Sequence, residues 1–473
     1  MTETKKRSGL VGSISTCLLL LSACTSGPDY RPPEVSLAPY HNRGQSGDTA
    51  AGLDRWWIGF HDPELTRIIE RALRENLDLA AAMARVDQAR AAARYAGAAL
   101  LPAVDAVGSE TVQHQSLEGP LGKLARHAPG YDRDQSLHDV GAAASWEIDL
   151  SGGLRRDEEA AKDLAQAAED EHAYQRITVA ADASDAYFQI RGFQARIALA
   201  EAQIEADRHL VDLVHLRLGQ GDATERESAQ AKALLGQAHA SVPPLRRGLE
   251  AQLNRLDVLM GAQPGTYAEE LASPSANPSI PPIEPGDSTD LLRRRPDVLA
   301  AERRLAASNA KIGSALSEYY PKLSLTGLLG FESLSGSRLL TGGAFQPAAT
   351  AGLRWRLFDF GRVDSEVEAA KGTNAEALAQ YRQSILKAAE DVEDALSGLS
   401  QDMAQSKDLE QETFSLVQAR DRAEEAYRGG AVALIDVIDS DRQLLFAQDS
   451  LALSQADTER AAVLAYRSLG GGW

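Results

Sequence analysis

The sequence contains few cysteines and few aromatic residues, and its body has no long apolar run. Only two of its 473 residues are cysteines, Cys17 and Cys24, and aromatic side chains make up 5%. Beyond the first two dozen residues there is no stretch of about 18 apolar residues, the length that a transmembrane helix requires. If the chain spans a membrane, it must therefore do so with β-strands.

Sequence motifs for catalysis, nucleotide binding and metal binding are also missing. The chain has no Gly-x-Ser-x-Gly, no phosphate-binding loop, no His-Glu-x-x-His and no Cys-x-x-Cys. His209 and His215 are six residues apart, which is a poor spacing for a shared metal ion. We therefore expect neither an enzyme nor a bound cofactor. The formal net charge of −19 argues against a nucleic-acid partner, because phosphate binding needs a basic surface.

The N-terminus has the pattern of a lipoprotein precursor. A basic start is followed by a short apolar run and by Leu21-Ser22-Ala23-Cys24, which resembles a bacterial lipobox. We expect a signal peptide over residues 1–23, acylation of Cys24 and a lipidated tether over residues 24–55. The alternative is an ordinary signal peptide with an incidental cysteine. Thr25 favours the outer membrane, since an aspartate there would resemble an inner-membrane retention signal.

The rest of the chain consists of two similar halves, residues 56–272 and 291–473, separated by a proline-rich linker over 273–290. Trp146 and Trp355 begin similar segments 209 positions apart, and the glycine turns at 218–221 and 427–430 show the same offset. Pro102 and Pro321 also correspond, but they lie 219 positions apart, so the first half has the longer loop between its proline and its tryptophan.

The sequence of each half predicts the same order: a helix that ends near a proline, a pair of strands, a long helix, a glycine turn and a further helix. We expect helices from about Pro63 to Ala99 and from Pro296, and hairpins over about 103–150 and 322–359. Glycine-rich loops are expected over Ser116 to His138 and Ser333 to Gly343, and the alternation at Leu353, Trp355 and Leu357 predicts the last strand. The long helices, Leu154 to Gly219 and Arg362 to Arg428, would each extend about 100 Å at 1.5 Å per residue.

Four strands from one chain are too few to close a membrane barrel, which needs about eight. Two hairpins of a soluble β-domain are one interpretation. The other is an open sheet that several chains complete together, which would leave no exposed strand edge.

Several motifs together make the chain similar to the TolC-type outer-membrane factors, and within them to the lipoprotein branch (NodT-like) that serves resistance-nodulation-division (RND) efflux pumps. The resemblance covers nearly the whole mature chain. The motifs are WWIGFHDPEL at 56–65, WEIDL at 146–150, LLRRRPDV at 291–298, Tyr320-Pro321 and the second glycine turn.

The resemblance implies a mainly α fold with a transmembrane β-barrel. Three chains would each supply four strands to a twelve-stranded barrel in the outer membrane, continued by a long α-helical periplasmic barrel. A periplasmic adaptor protein and an inner-membrane RND-type pump would dock at the far end, near Gly221 and Gly430. The function implied is passive conduction from the pump to the exterior, with the chain held as a homotrimer and anchored to outer-membrane lipid.

The resemblance also implies a gate at this tip. Asp436 and Asp439 match two aspartates that face the tunnel axis in the family, and their spacing puts both on one helix face. Three copies would form rings of carboxylates, which concentrate cations. Tyr427 matches a gate tyrosine, and Arg442 is placed to pair with Asp439. A solvated acidic face and a packing aromatic are the alternatives.

Two features of the sequence limit this assignment. Val432 stands where some members of the family have an arginine, so their arginine–aspartate tie between protomers is in doubt here. Glu227 and Gln230 occupy the equivalent positions in the first half, so the carboxylate pair is not duplicated. The rival function is that of a lipid-anchored periplasmic coiled-coil adaptor or scaffold, which usually has one helical hairpin rather than two repeated units.

Overall fold

The computed structural model describes residues 25–35, 37–42, 53–272, 279–283 and 286–472. The predicted signal peptide and Cys24 lie outside these ranges, as do parts of the predicted tether and linker. The chain forms two compact units. One contains residues 87–167 and 302–380, and the other contains 34–86, 168–301 and 381–473.

The helices and strands follow the same order in both halves of the chain. The first half contains α1 (Pro63–Glu75), α2 (Leu77–Ala98), β1 (Ala103–His114), a short α3 (Pro120–Ala125), β2 (Asp134–Ile148), α4 (Gly153–Gln220) and α5 (Glu225–Leu259). The second contains a single turn α6 (Leu291–Arg294), α7 (Pro296–Ser317), β3 (Lys322–Ser333), β4 (Phe345–Arg354), α8 (Arg362–Arg428) and α9 (Leu434–Ser468). Short 3-10 helices cover Leu53–Phe60, Ser288–Asp290 and Gly336–Arg338.

The strands form one antiparallel sheet in the order β1-β2-β3-β4. Ala103 pairs with Ser145, Trp146 with Leu325, and Lys322 with Arg354. The outer strands β1 and β4 each have one free edge within the described chain, and most of their side chains are exposed. Several of these are large and apolar, among them Val104, Val112, Phe345 and Leu353.

A hydrogen bond from a tryptophan indole closes the base of each hairpin. Trp146 Nε1 donates to the carbonyl of Leu100 at 2.9 Å, and Trp355 Nε1 donates to the carbonyl of Tyr319 at 3.0 Å. Both acceptors lie two residues before the proline that opens the hairpin, Pro102 or Pro321. The two tryptophans thus form equivalent hydrogen bonds, as the repeat in the sequence predicts.

The long helices α4 and α8 are close to the predicted lengths, and α8 has the predicted ends. An apolar stripe runs along α4, where Ala180, Ala183, Tyr187 and Ile190 recur three and four residues apart and are fully buried. They belong to a core that also holds Trp57, Phe60 and Tyr466. Within the described residues, none of the helices is both long and apolar enough to cross a membrane.

The prediction of one continuous helix from Pro63 to Ala99 is wrong, because the helix is interrupted at Asn76. The Asn76 side-chain oxygen accepts hydrogen bonds from the backbone N–H of Asp78 at 2.9 Å and of Leu79 at 3.0 Å. Its amide nitrogen donates to the Leu259 carbonyl at 2.9 Å. Asn76 therefore ends α1 and caps α2 at the same point.

Two strand boundaries also differ from prediction. Strand β4 ends at Arg354, so Trp355 and Leu357 lie outside it; the Trp355 side chain is held instead by its bond to Tyr319. Strand β2 begins at Asp134, so the end of the predicted loop over Ser116 to His138 is strand. This part of β2 pairs with β1 as far as His114, which extends the ladder into the expected loop.

Candidate channel gate and the helices that position it

The two glycine turns are built in the same way. Gly221 has φ +84° and Gly430 has φ +74°, a conformation that favours glycine. The N–H of Asp222 donates to the carbonyl of Arg217, and the N–H of Ala431 donates to that of Ala426, both at 2.9 Å. These are the bonds of a Schellman motif, which ends α4 and α8 and lets α5 and α9 begin.

A small apolar cluster packs beneath the turns. It contains Tyr427, Leu434 and Val437 from the second turn and Leu210, Val214 and Ala231 from α4 and α5. The Arg217 guanidinium lies over the Tyr427 ring, 4.6 Å from its centroid, and donates to the Tyr427 carbonyl at 3.3 Å. The buried Tyr427 hydroxyl has no hydrogen-bond partner among the described residues. In one chain, Tyr427 therefore acts through packing.

Asp436 lies in the first turn of α9 and is exposed. Its carboxylate accepts a hydrogen bond from the N–H of Ala433 at 3.0 Å. The equivalent residue of the first half, Glu227, accepts from the N–H of Thr224 at 2.7 Å, and this bond holds the pKa of Glu227 below its usual value. Both acids satisfy a free N–H at a helix start.

Asp439 is also exposed, and it forms the predicted pair with Arg442. The Arg442 guanidinium donates to Asp439 at 3.1 Å, and the Gln443 amide donates to its second oxygen at 2.8 Å. Both partners of the ion pair are more than half exposed, so the pair adds little to the stability of a single chain.

Sequence reasoning missed a buried polar group on the opposite face of α9. Asp441 is 6% exposed and accepts from Arg420 Nε of α8 at 2.9 Å, and Asp207 of α4 is 1% exposed. Both aspartates occupy positions of a buried stripe: Asp207 falls between Ile204 and Leu210, and Asp441 follows Leu434 and Val437. An acid at an apolar helix position is visible in the sequence, but its partner requires the packing of three helices.

The described residues hold no group of three or more acidic, histidine or cysteine side chains suited to a metal ion. The groups at the tip are therefore carboxylates, guanidinium groups and one buried phenol. Such groups act on passing ions through charge and through the packing of the helices that carry them.

Comparison with known proteins agrees with this architecture. The chain matches the family described as "Outer membrane efflux protein" over residues 68–262 and 288–471. The pyoverdine export outer membrane protein OpmQ of Pseudomonas putida is 34% identical over 466 residues, which cover 97% of each chain. Nodulation protein T of Rhizobium leguminosarum bv. trifolii is 28% identical over 459 residues, 96% of each.

Solved structures give the same result for the fold. The outer-membrane channel OprN superposes with a TM-score of 0.87 at 33% identity, over 95% of this chain and 100% of that one. The open state of the Neisseria gonorrhoeae MtrE outer membrane channel superposes with a TM-score of 0.83 at 24% identity, over 95% and 98%, and supports the fold alone.

These likenesses confirm the predicted TolC-type fold, the outer-membrane location and the role in efflux, and they decide against a periplasmic adaptor or scaffold. The chain belongs to the outer membrane efflux protein family.

Proposed function

We propose that three copies of this chain form one passive outer-membrane channel. The observation that carries the proposal is the open four-stranded sheet, which has a free edge on β1 and on β4 and exposes large apolar side chains. Free edges and exposed apolar surface are aggregation hazards in a single chain. Three such sheets, joined edge to edge in the outer membrane, would remove both.

The proposed arrangement keeps the divisions read from the sequence: a signal peptide over 1–23, a tether over 24–55 acylated at Cys24, repeats over 56–272 and 291–473, and a linker over 273–290. The lipid at Cys24 adds an anchor in the outer membrane. The described tether is bound to the body of the protein, since Ser26 N donates to the Ser151 carbonyl at 2.8 Å.

At the glycine turns, we propose that Asp436 and Asp439 from three chains form the constriction, with Arg442 pairing to Asp439 and Tyr427 packing behind them. A periplasmic adaptor and an inner-membrane RND-type pump would dock at the tip. Their binding would favour an open arrangement of the tip helices, so the energy of transport comes from the pump. The duct needs no catalytic group or cofactor for this. It also need not select the cargo, which the pump delivers.

The edge of β4 offers a test of barrel closure. Glu332 N donates to the Ala344 carbonyl, and alternation along an antiparallel ladder then points the N–H of Ala349 away from β3. Pro347 already occupies an outward position of this kind. We therefore expect Ala349→Pro to spare the β3–β4 hairpin but to remove a bond to a neighbouring chain.

The measurement is the amount of heat-resistant trimer in outer-membrane fractions, compared by gel electrophoresis. Wild type and the control Ala349→Val, which keeps the N–H, should give trimers, and Ala349→Pro should give fewer. Monomers from the wild type, or equal trimer yields from both variants, would contradict closure through this edge.

A further inference from the structure

The helices α4 and α9 are joined by a series of ion pairs. Asp182 lies 3.7 Å from Arg467, Asp185 lies 2.6 Å from Arg460, and Arg196 lies 2.6 Å from Asp449. The residue numbers rise along α4 as they fall along α9, so the helices run antiparallel. Each pair joins an acid to an arginine, and each is partly exposed.

The same progression brings Asp207 of α4 opposite Asp441 of α9, where two acids meet instead of an acid and a base. Both are buried, with exposures of 1% and 6%. Burying two like charges together is costly unless a cation or a proton compensates them.

In the described part of the chain, Arg420 is the cation at this position. Arg420 of α8 donates to Asp441 at 2.9 Å and also lies 3.3 Å from Asp421 and 3.6 Å from Glu424. Asp207 receives one hydrogen bond, from Gln203 at 2.7 Å. Its other carboxylate oxygen has no partner among the described residues.

We propose that Arg420 and Asp441 are positioning residues that hold the base of α9, and with it the exposed Asp436 and Asp439, and that the buried Asp207 weakens this hold when it is charged. Asp441 lies two residues beyond Asp439 but on the buried face of the same helix. Its bond to Arg420 therefore fixes the rotation of the acidic face. The inference rests on the proposed gate and adds to it the residues that regulate its position.

The charge state of Asp207 gives this hold a pH dependence. Burial raises the pKa of Asp207 to about 6, and burial also raises the pKa of Asp441. The groups facing this pair are Gln203 on α4 and Arg420 and Glu424 on α8. An acid with a raised pKa binds its proton more tightly in the packed state than in the loosened one. This contribution to the packing of α9 is therefore full below the ordinary aspartate pKa and is lost as the pH rises through about 6.

The test is single-channel recording of the purified protein at about pH 8 and about pH 5, on either side of the Asp207 pKa. Arg420→Ala leaves two buried carboxylates without a cation, so open probability should rise at pH 8, roughly tenfold or more. Asp207→Asn removes the unpaired charge, so its open probability at pH 8 should fall to the wild-type level at pH 5. Arg422→Ala is the matched control, because Arg422 is 83% exposed and pairs with nearby Glu425.

Arg420→Ala behaving like Arg422→Ala, or Asp207→Asn keeping the wild-type pH dependence, would overturn the inference. If Arg420→Ala yields no heat-resistant trimer, Asp207→Asn alone decides, because asparagine keeps the shape of aspartate. Absence of wild-type conductance would instead contradict the proposed channel. A conducting wild type with unresponsive Arg420 and Asp207 variants would contradict this inference only.

Discussion

Asp436 and Glu227 occupy equivalent positions in the two repeats and accept the same kind of hydrogen bond at a helix start. In a single chain, Asp436 therefore caps the start of α9, and this role is independent of any ring of charges. Replacing it by alanine would remove both the charge and the cap. Asparagine removes the charge and keeps an oxygen that accepts the bond, so it separates the two roles.

Two roles compete for Tyr427: packing by its ring and hydrogen bonding by its hydroxyl. Its ring is buried against Leu210, Val214 and Arg217, while its hydroxyl has no partner in the described chain. We predict that Tyr427→Phe keeps or raises the thermal midpoint, because it removes an unsatisfied buried polar group. Tyr427→Ala should destabilise by about 3–5 kcal/mol, as large aromatic truncations do.

Thermal unfolding of the two variants followed by circular dichroism measures both effects. A clear fall in the midpoint for Tyr427→Phe would show that the hydroxyl is bonded in the assembled channel. That result would favour a hydrogen-bonded gate tyrosine over a packing role.

The sequence predicted the tip residues by resemblance and spacing. The pair of Arg442 with Asp439 is three residues apart on one helix, so spacing alone allowed its prediction. The contact of Arg420 with Asp441 joins two helices, and Asp207 comes from a third. Such contacts depend on the packing register of long helices, which a single sequence does not specify.

Among the elements, the long helices were predictable because α4 and α8 contain no proline and carry apolar residues three and four apart. The break at Asn76 was missed: Asn76 caps α2 locally, but its second bond, to the Leu259 carbonyl, joins residues far apart in the chain. The end of β4 was missed for a similar reason, since the indole of Trp355 bonds to Tyr319 outside the sheet.

Substitutions of Asn76 test what holds the junction of α1 and α2. Asn76→Asp keeps the side-chain oxygen that caps α2 and loses the donor to Leu259, whereas Asn76→Ala loses both. We expect Asn76→Ala to cost at least about 1 kcal/mol of unfolding free energy, the usual loss for a helix cap. Asn76→Asp should retain the capping part of that stability.

Urea unfolding of both variants beside the wild type measures the difference. Equal losses for Asn76→Asp and Asn76→Ala would mean that the tie to Leu259, rather than the cap, holds the junction.

For the whole molecule, the two repeats give each chain two hairpins, and these form a sheet with open edges. The internal repeat was visible in the sequence as the offset of 209 residues shared by the tryptophans and the glycine turns. Closure of the sheet and the rings of carboxylates are properties of several chains, so the sequence of one chain implies them only through resemblance to a family.

We propose that the assembled chain is a conducting duct with an acidic constriction. The decisive measurement is single-channel conductance and reversal potential in planar bilayers, for wild type beside the double variant Asp436→Asn, Asp439→Asn. Glu227→Gln is the control, since it changes the equivalent cap in the other repeat. We predict a small, cation-selective wild-type conductance, a larger and less selective one in the double variant, and wild-type behaviour in the control. Unchanged conductance and selectivity in the double variant would contradict the acidic constriction.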